Sequence, residues 1–363
     1  MRIVFFDDSL PFDGSTPDNR PLGGAEKALA ALPGALAARG HDVIVYNRTP
    51  DAVPVAGVKW QPLSGPKVAS ADVLVAFRRP GLLDETVNAG RRLLWATAHP
   101  SYLHTEAADS LLVRHNAVIL FSSEAQRAAY GGQRPNLVIP PGVRMPYLAA
   151  VERENAPAPV ALTTVHPGPE LEWLIAVWTE MIHPQIPHAR LKVFSALLAR
   201  AQRGEAIPEA LHGLYAQARL AQVKGVEICE PQGDRAMAEE YRNARVHLYV
   251  PPMEDLINWT LLESQSCGVP AVALSRGAVE ERLSNGQTGY VVPDADAFAN
   301  VTAQILSDDG VHASLSEAAG DLSRKRTWDQ VAGQMELMLG FDRQPESLME
   351  PDDRAENPLG AGE

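Results

Sequence analysis

Short, unbroken apolar runs alternate along this chain with longer stretches of helical periodicity. The run Ile3-Val4-Phe5-Phe6 has no polar alternation, which predicts a strand buried on both faces over residues 2–6. A polar loop with three prolines follows over 7–22. Gly23-Gly24-Ala25-Glu26 then opens an alanine-rich helix that closes at Arg39-Gly40-His41, with Gly40 as its C-cap. Further strands are predicted at 42–46, 73–77, 93–96, 118–121 and 137–139. The rhythm resumes after a proline-bearing linker at 145–159, with strands at 160–163, 190–194, 226–229, 246–250, 269–273 and 290–292. Helices are predicted between them at 171–182, 209–221, 236–244, 260–267 and 297–306, and Trp328, Val331 and Met335 mark a closing amphipathic helix. Strand–helix–strand order of this kind defines an α/β protein, with parallel sheets wrapped by helices. The expected architecture is two Rossmann-like, doubly wound domains facing across a cleft, over 1–150 and 151–340. Residues 341–363, acidic and without periodicity, are expected to form a disordered tail.

Charge sharpens this division. The net charge of −13 is spread as +2 over 1–150, −10 over 151–340 and −5 over 341–363. An acidic chain without a dense basic face argues against a nucleic-acid partner and leaves at most weak peripheral membrane contact. Two cysteines, Cys229 and Cys267, exclude a disulfide scaffold and a four-cysteine zinc site. No apolar run approaches the ~20 residues that cross a bilayer. The opening apolar run is short and soon acidic, unlike a signal peptide. The expectation is a cytoplasmic protein.

Three places carry candidate chemistry. Gly23 and Gly24 lie between a loop and a helix start, where free amides and the helix dipole favour a phosphate or carboxylate. The competing reading is a tight turn without a ligand, and the spacing is not that of a dinucleotide fingerprint. After the strand at 246–250 come Glu254 and Asp255, then a helix that Thr260 is placed to cap, with Glu263 in its first turn. Acids beyond a strand's carboxyl end face the crevice of an open parallel sheet and can accept from sugar or ribose hydroxyls. Solvated loop charges are the bland reading. His99, just past the strand at 93–96, is the third candidate, although a lone histidine is more often structural. No histidine pairs with cysteine or carboxylate at metal spacing, and no nucleophile elbow or Walker-type Gly-Lys-Ser is present.

Together these segments resemble the family 4 glycosyltransferases of the GT-B fold. Gly23-Gly24-Ala25-Glu26 leading to Arg39-Gly40-His41-Asp42-Val43 is similar to that family's first helix and second strand. Glu263 through Cys267-Gly268-Val269-Pro270, then Gly277-Ala278-Val279-Glu280 and Asn285-Gly286-Gln287-Thr288-Gly289, resembles its nucleotide-side block, and Trp328-Asp329-Gln330-Val331-Ala332 its closing helix. The resemblance implies metal-independent, retaining transfer of a sugar from a nucleotide-diphosphate donor on the second domain to an acceptor hydroxyl on the first. The donor is then a substrate, and no cofactor is implied.

By the same resemblance Glu263 holds the ribose, and Asp255, or Glu254 by a one-residue shift, holds the sugar. Gly23, Gly24 and the amides of Leu261 and Leu262 hold the phosphates, and His99 lies beside the transferred sugar, here followed by Pro100. The acceptor is expected to be a glycan or a lipid-linked glycan, as in surface polysaccharide or glycolipid synthesis. One departure stands out: Pro169 occupies the position of the basic residue that neutralises the leaving diphosphate. Arg200 and Arg203 are expected to stand in for it, with Arg276 and His166 as further candidates. Two rivals remain at this level. One is a catalytically weakened binding or partner subunit on the same fold, and the other is a nucleotide-sugar epimerase.

Overall fold

The computed structural model describes residues 1–148, 156–321 and 325–340. The first sheet contains β1 (Arg2–Phe6), β2 (Asp42–Asn47), β3 (Val53–Val55), β4 (Val58–Pro62), β5 (Ser70–Phe77), β6 (Asn88–Trp95), β7 (Val118–Phe121) and β8 (Asn136–Val138). Their spatial order is β3-β4-β2-β1-β5-β6-β7-β8. The second sheet contains β9 (Val160–Thr163), β10 (Arg190–Phe194), β11 (Val226–Cys229), β12 (Val246–Tyr249), β13 (Ala271–Leu274) and β14 (Gly289–Val292), in the order β11-β10-β9-β12-β13-β14. All neighbours run parallel except β3 and β4.

In both sheets the first strand sits inside, with the chain winding away on one side and returning on the other. β1 is flanked by β2 and β5, and β9 by β10 and β12. Such a reversal leaves a crevice outside the carboxyl ends of the strands, the usual ligand site of a doubly wound sheet. The two reversal points therefore define where each domain can receive a ligand.

Burial on both faces explains the unbroken apolar strands. Ile3, Phe5, Val43 and Val45 pack toward the Gly24–Ala38 helix, while Val4, Phe6, Ile44 and Tyr46 pack with Leu83 and Leu112 on the other side. The second domain builds its largest core around Trp178, Leu171, Leu248, Val272 and Phe298.

Several elements depart from the pattern-based reading, the Glu106–Arg114 and Glu124–Tyr130 helices among them. The β3–β4 hairpin was not anticipated; its turn places Ala56 and Gly57 at φ +49° and +78°, the left-handed pair that a two-residue hairpin needs. The Ala196–Gln202 and Asp309–Gly320 helices were also unanticipated. The closing helix, Trp328–Met338, packs on the first domain: Trp328, Val331 and Met335 join the core of the Gly24–Ala38 helix. Part of the 145–159 linker and all of the 341–363 tail lie outside the described residues.

Polar contacts pin that closing helix. Glu336 accepts from Arg39 Nη2 at 2.6 Å and lies 2.8 Å from His41 Nε2. The Arg39 hydrogen bond holds the Glu336 carboxyl below its ordinary value of 4.5, and its contribution is therefore present above that value and lost as acid protonates it. Amide exchange across 328–338 should speed up selectively below about pH 4.5, relative to the β1 and β5 amides. Equal acceleration in both regions contradicts this assignment.

Candidate functional site

The start of the Gly24–Ala38 helix meets the start of the Trp259–Ser266 helix across the domain boundary. A Cβ at Gly24 would overlap Cβ and Cγ of Trp259, so only glycine lets the two backbones come this close. The approach to the second helix is shaped by Asp255. Its carboxylate accepts from the amides of Ile257 (3.2 Å) and Asn258 (2.9 Å) and from the Tyr249 hydroxyl (2.9 Å). Asn258 is then set at φ +58°, and its side chain leaves the helix start uncapped.

Behind this helix start lies an uncharged relay of hydroxyls. Thr164 donates to Thr260 Oγ1 at 2.8 Å and lies 3.1 Å from His247 Nε2, and His247 Nδ1 lies 2.7 Å from Ser264 Oγ. Burial pushes His247 down to about 3, so the ring stays neutral at physiological pH.

A buried charge cluster closes the junction. Lys27 Nζ lies 2.8 Å from Glu263 Oε1, 2.9 Å from Asp234 Oδ1 and 2.9 Å from the Tyr147 hydroxyl. The Tyr147 hydroxyl donates to Asp234 at 2.7 Å, and Arg144 joins Asp234 (2.5 Å) to Asp18 (2.7 Å). Burial alone would lower Lys27, but Glu263 and Asp234 hold it above its ordinary value. Glu263 moves up, because its burial outweighs the pull of Lys27 and Asp234 adds repulsion. Burial, with Glu263 and Asp234 nearby, pushes the Tyr147 hydroxyl far up, so it remains a donor.

A second bridge flanks the first. Glu281 accepts from the amides of Glu124 (3.1 Å) and Ala125 (2.8 Å), which begin the Glu124–Tyr130 helix. Arg282 donates to the carbonyls of Ser122 and Ile257, each at 3.1 Å, and Ser123 Oγ donates to Leu256 O at 2.5 Å. The domains are thus fastened at two further places besides the Gly24–Trp259 contact.

The structure brings some sequence candidates together and not others. Gly23, Gly24, Asp255, Leu261 and Glu263 converge on the junction. Glu263 lies in the second turn of its helix rather than the first, and it faces Lys27. The Leu262 amide donates to Asn258 O at 3.2 Å, so it is consumed within the helix; the uncapped first turn comprises Trp259, Thr260 and Leu261. Thr260 does not cap the helix, because Asn258 holds that position. Glu254 is exposed beside Asp255. His99 heads the Pro100–His104 turn, where its Nδ1 accepts from Ser101 N at 3.3 Å.

Arg200 and Arg203 are not brought to the junction. They end the Ala196–Gln202 helix and pair with Glu205 and Glu230, because that helix begins at the carboxyl end of β10 and carries them away from it. Sequence reasoning missed Lys27, Arg144, Tyr147 and Asp234. The one available signal was a lysine directly after the Gly-Gly-Ala-Glu turn, on the apolar face of an alanine-rich helix.

Among the described residues, no group of three or more His, Cys, Asp and Glu side chains is arranged to hold a metal ion, and no helix is long and apolar enough to cross a membrane.

This architecture, two Rossmann-like domains whose reversal points face each other, is that of the GT-B proteins. Residues 161–308 match the model of the family described as glycosyl transferases group 1. The chain is 28% identical over 241 residues to a D-inositol 3-phosphate glycosyltransferase of Kribbella flavida, covering 62% of this chain and 55% of that protein. It therefore spans about half the length of this curated relative. Among solved structures, sucrose-phosphate synthase from Thermosynechococcus elongatus superposes with a TM-score of 0.72 at 17% identity, covering 94% of this chain and 98% of that one. Anabaena Alr3699/HepE, solved with UDP-glucose, gives 0.68 at 15% identity, covering 94% and 100%. At these identities the superpositions establish the fold.

The charge cluster makes a direct prediction. Lys27→Met leaves Glu263 and Asp234 buried without their cation, and should lower unfolding stability in urea by about 3–5 kcal/mol. A loss below about 1 kcal/mol means that the cluster does not hold the junction.

Proposed function

We propose that this chain is a glycosyltransferase that moves a sugar, with retention, from a nucleotide-diphosphate donor to an acceptor hydroxyl. In that transfer the bond from the anomeric carbon to the diphosphate oxygen breaks, and a bond to the acceptor oxygen forms. The nucleoside diphosphate leaves with the pyrophosphate charge, and the acceptor proton passes to it or to solvent. The observation that carries the reading is the junction itself: Gly24 against an uncapped helix start, with a buried carboxylate, Glu263, one turn further on.

Open amides favour the pyrophosphate. Glu263 is suited to accept from the ribose hydroxyls once Lys27 releases it, and Asp234 and Tyr147 remain as partners for Lys27. His99 and Asp255 are proposed beside the transferred sugar. Asp255 already spends one oxygen on its own turn and the other on the Tyr249 hydroxyl, which favours a positioning role for it. The acceptor is proposed to be a glycan or lipid-linked glycan at the first domain, in a cytoplasmic protein of surface polysaccharide or glycolipid synthesis. UDP-glucose, present in a structural neighbour, is the first donor to try.

A second reading has a specific observation in its favour. Pro169 forms the first turn of the Pro169–Val177 helix, where a proline is locally favourable but brings no charge to a leaving diphosphate. On this reading the chain binds the nucleotide sugar without turning it over.

Hydrolysis of UDP-, GDP- and ADP-glucose, which needs no acceptor, separates the readings. Slow release of a nucleoside diphosphate is expected for the glycosyltransferase, and tight binding without release for the binding subunit. Glu263→Ala, shown to be folded by circular dichroism, should weaken nucleoside diphosphate affinity by about 1–3 kcal/mol. Unchanged affinity removes Glu263 from the donor site.

A further inference from the structure

The donor reading demands a cation. A leaving diphosphate carries concentrated negative charge, and stabilising such charge is usually the largest catalytic contribution. Pro169 supplies none, and Arg200 and Arg203 pair with Glu205 and Glu230 at the far end of their helix. Lys27 and Arg144 are committed to Asp234, and Arg282 is turned onto two main-chain carbonyls.

Arg276 is placed differently. It follows β13, and its guanidinium reaches back over two neighbouring strand ends. Nη1 lies 3.2 Å from Pro251 O, just past β12, and 3.5 Å from Glu170 Oε1, in the first turn of the helix that follows β9. β9, β12 and β13 are adjacent, and the winding of the sheet reverses between β9 and β12. Arg276 therefore spans the second domain's crevice, with 29% of its side chain exposed. The next residue, Gly277, at φ +58°, is seated against the Asp255 carbonyl, which fixes the arginine beside the segment leading into the Trp259–Ser266 helix. Its single carboxylate contact is long and not bidentate, so an incoming anion competes with one weak ion pair and one main-chain carbonyl.

We infer that Arg276 is the residue that grips the diphosphate of the donor, taking the place left without charge at Pro169. This rests on the nucleotide-sugar reading above. Glu170 then acts as a holding partner: it keeps the guanidinium across the crevice in the free protein and yields it to the stronger, doubly charged ligand.

The test compares paired nucleotides by calorimetry on the full chain: UDP with UMP, GDP with GMP, and ADP with AMP. For the pair that binds, Arg276→Ala should weaken the diphosphate by about tenfold or more while changing the monophosphate by less than about threefold. Arg276→Lys should restore part of the loss, and the salt dependence of diphosphate binding should flatten in Arg276→Ala. Equal losses for diphosphate and monophosphate, or no loss at all, overturn the assignment while leaving the donor reading intact. If the unaltered chain binds none of the three diphosphates, the donor reading fails and the assignment falls with it.

Discussion

A lysine ammonium buried between two carboxylates on the opposite domain is the constraint on which the rest of this structure depends. Lys27 belongs to the first domain, and Asp234 and Glu263 to the second. Moving three such groups out of water costs several kcal/mol each, and only close mutual pairing offsets that cost. The pairing exists only while the domains are closed. Arg144, held by Asp18 and Asp234, extends the same logic to the chain segment that leaves the first domain. The domain arrangement is therefore set by electrostatics as much as by apolar contact. Lys27 follows the glycine turn by three residues, and so the device that closes the domains also positions the turn against the helix that faces it.

On the proposed reading the closure bears on function, because Glu263 then has two partners. In the free chain it belongs to Lys27; in a donor complex it would belong to a ribose. The exchange is feasible because Lys27 keeps Asp234 and Tyr147, so no charge is stranded when Glu263 turns. Around it the second domain presents neutral groups, with the Thr164–His247–Ser264 relay fixing Thr260 without adding charge. On the proposed reading, a site organised in this way would select an anion through main-chain amides and Arg276 rather than through a basic patch. On that same reading, this is how an acidic domain would hold a polyanionic donor.

Most of the fold was legible because parallel strands buried on both faces must be continuous and apolar. The runs at 3–6 and 43–46 announce themselves in this way. The β3–β4 hairpin was hidden by its shortness and by Pro54, which an edge strand tolerates but a pattern search discounts. The closing helix was recognised, but its amphipathic stripe does not say which domain it covers. At the site, the sequence singled out Gly24 and Glu263 but not their partners. Lys27 and Glu263 are 236 residues apart, and no local spacing encodes their meeting. Arg200 and Arg203 misled for the converse reason: they follow a strand in sequence, but their helix carries them away from its carboxyl end.

A crystal structure of the chain with a bound nucleoside diphosphate tests this account most directly. The Glu263 carboxylate should lie within hydrogen-bond distance of the ribose hydroxyls, with Lys27 parted from it and still held by Asp234. A nucleotide bound elsewhere on the molecule, with the Lys27–Glu263 pair intact, would contradict it.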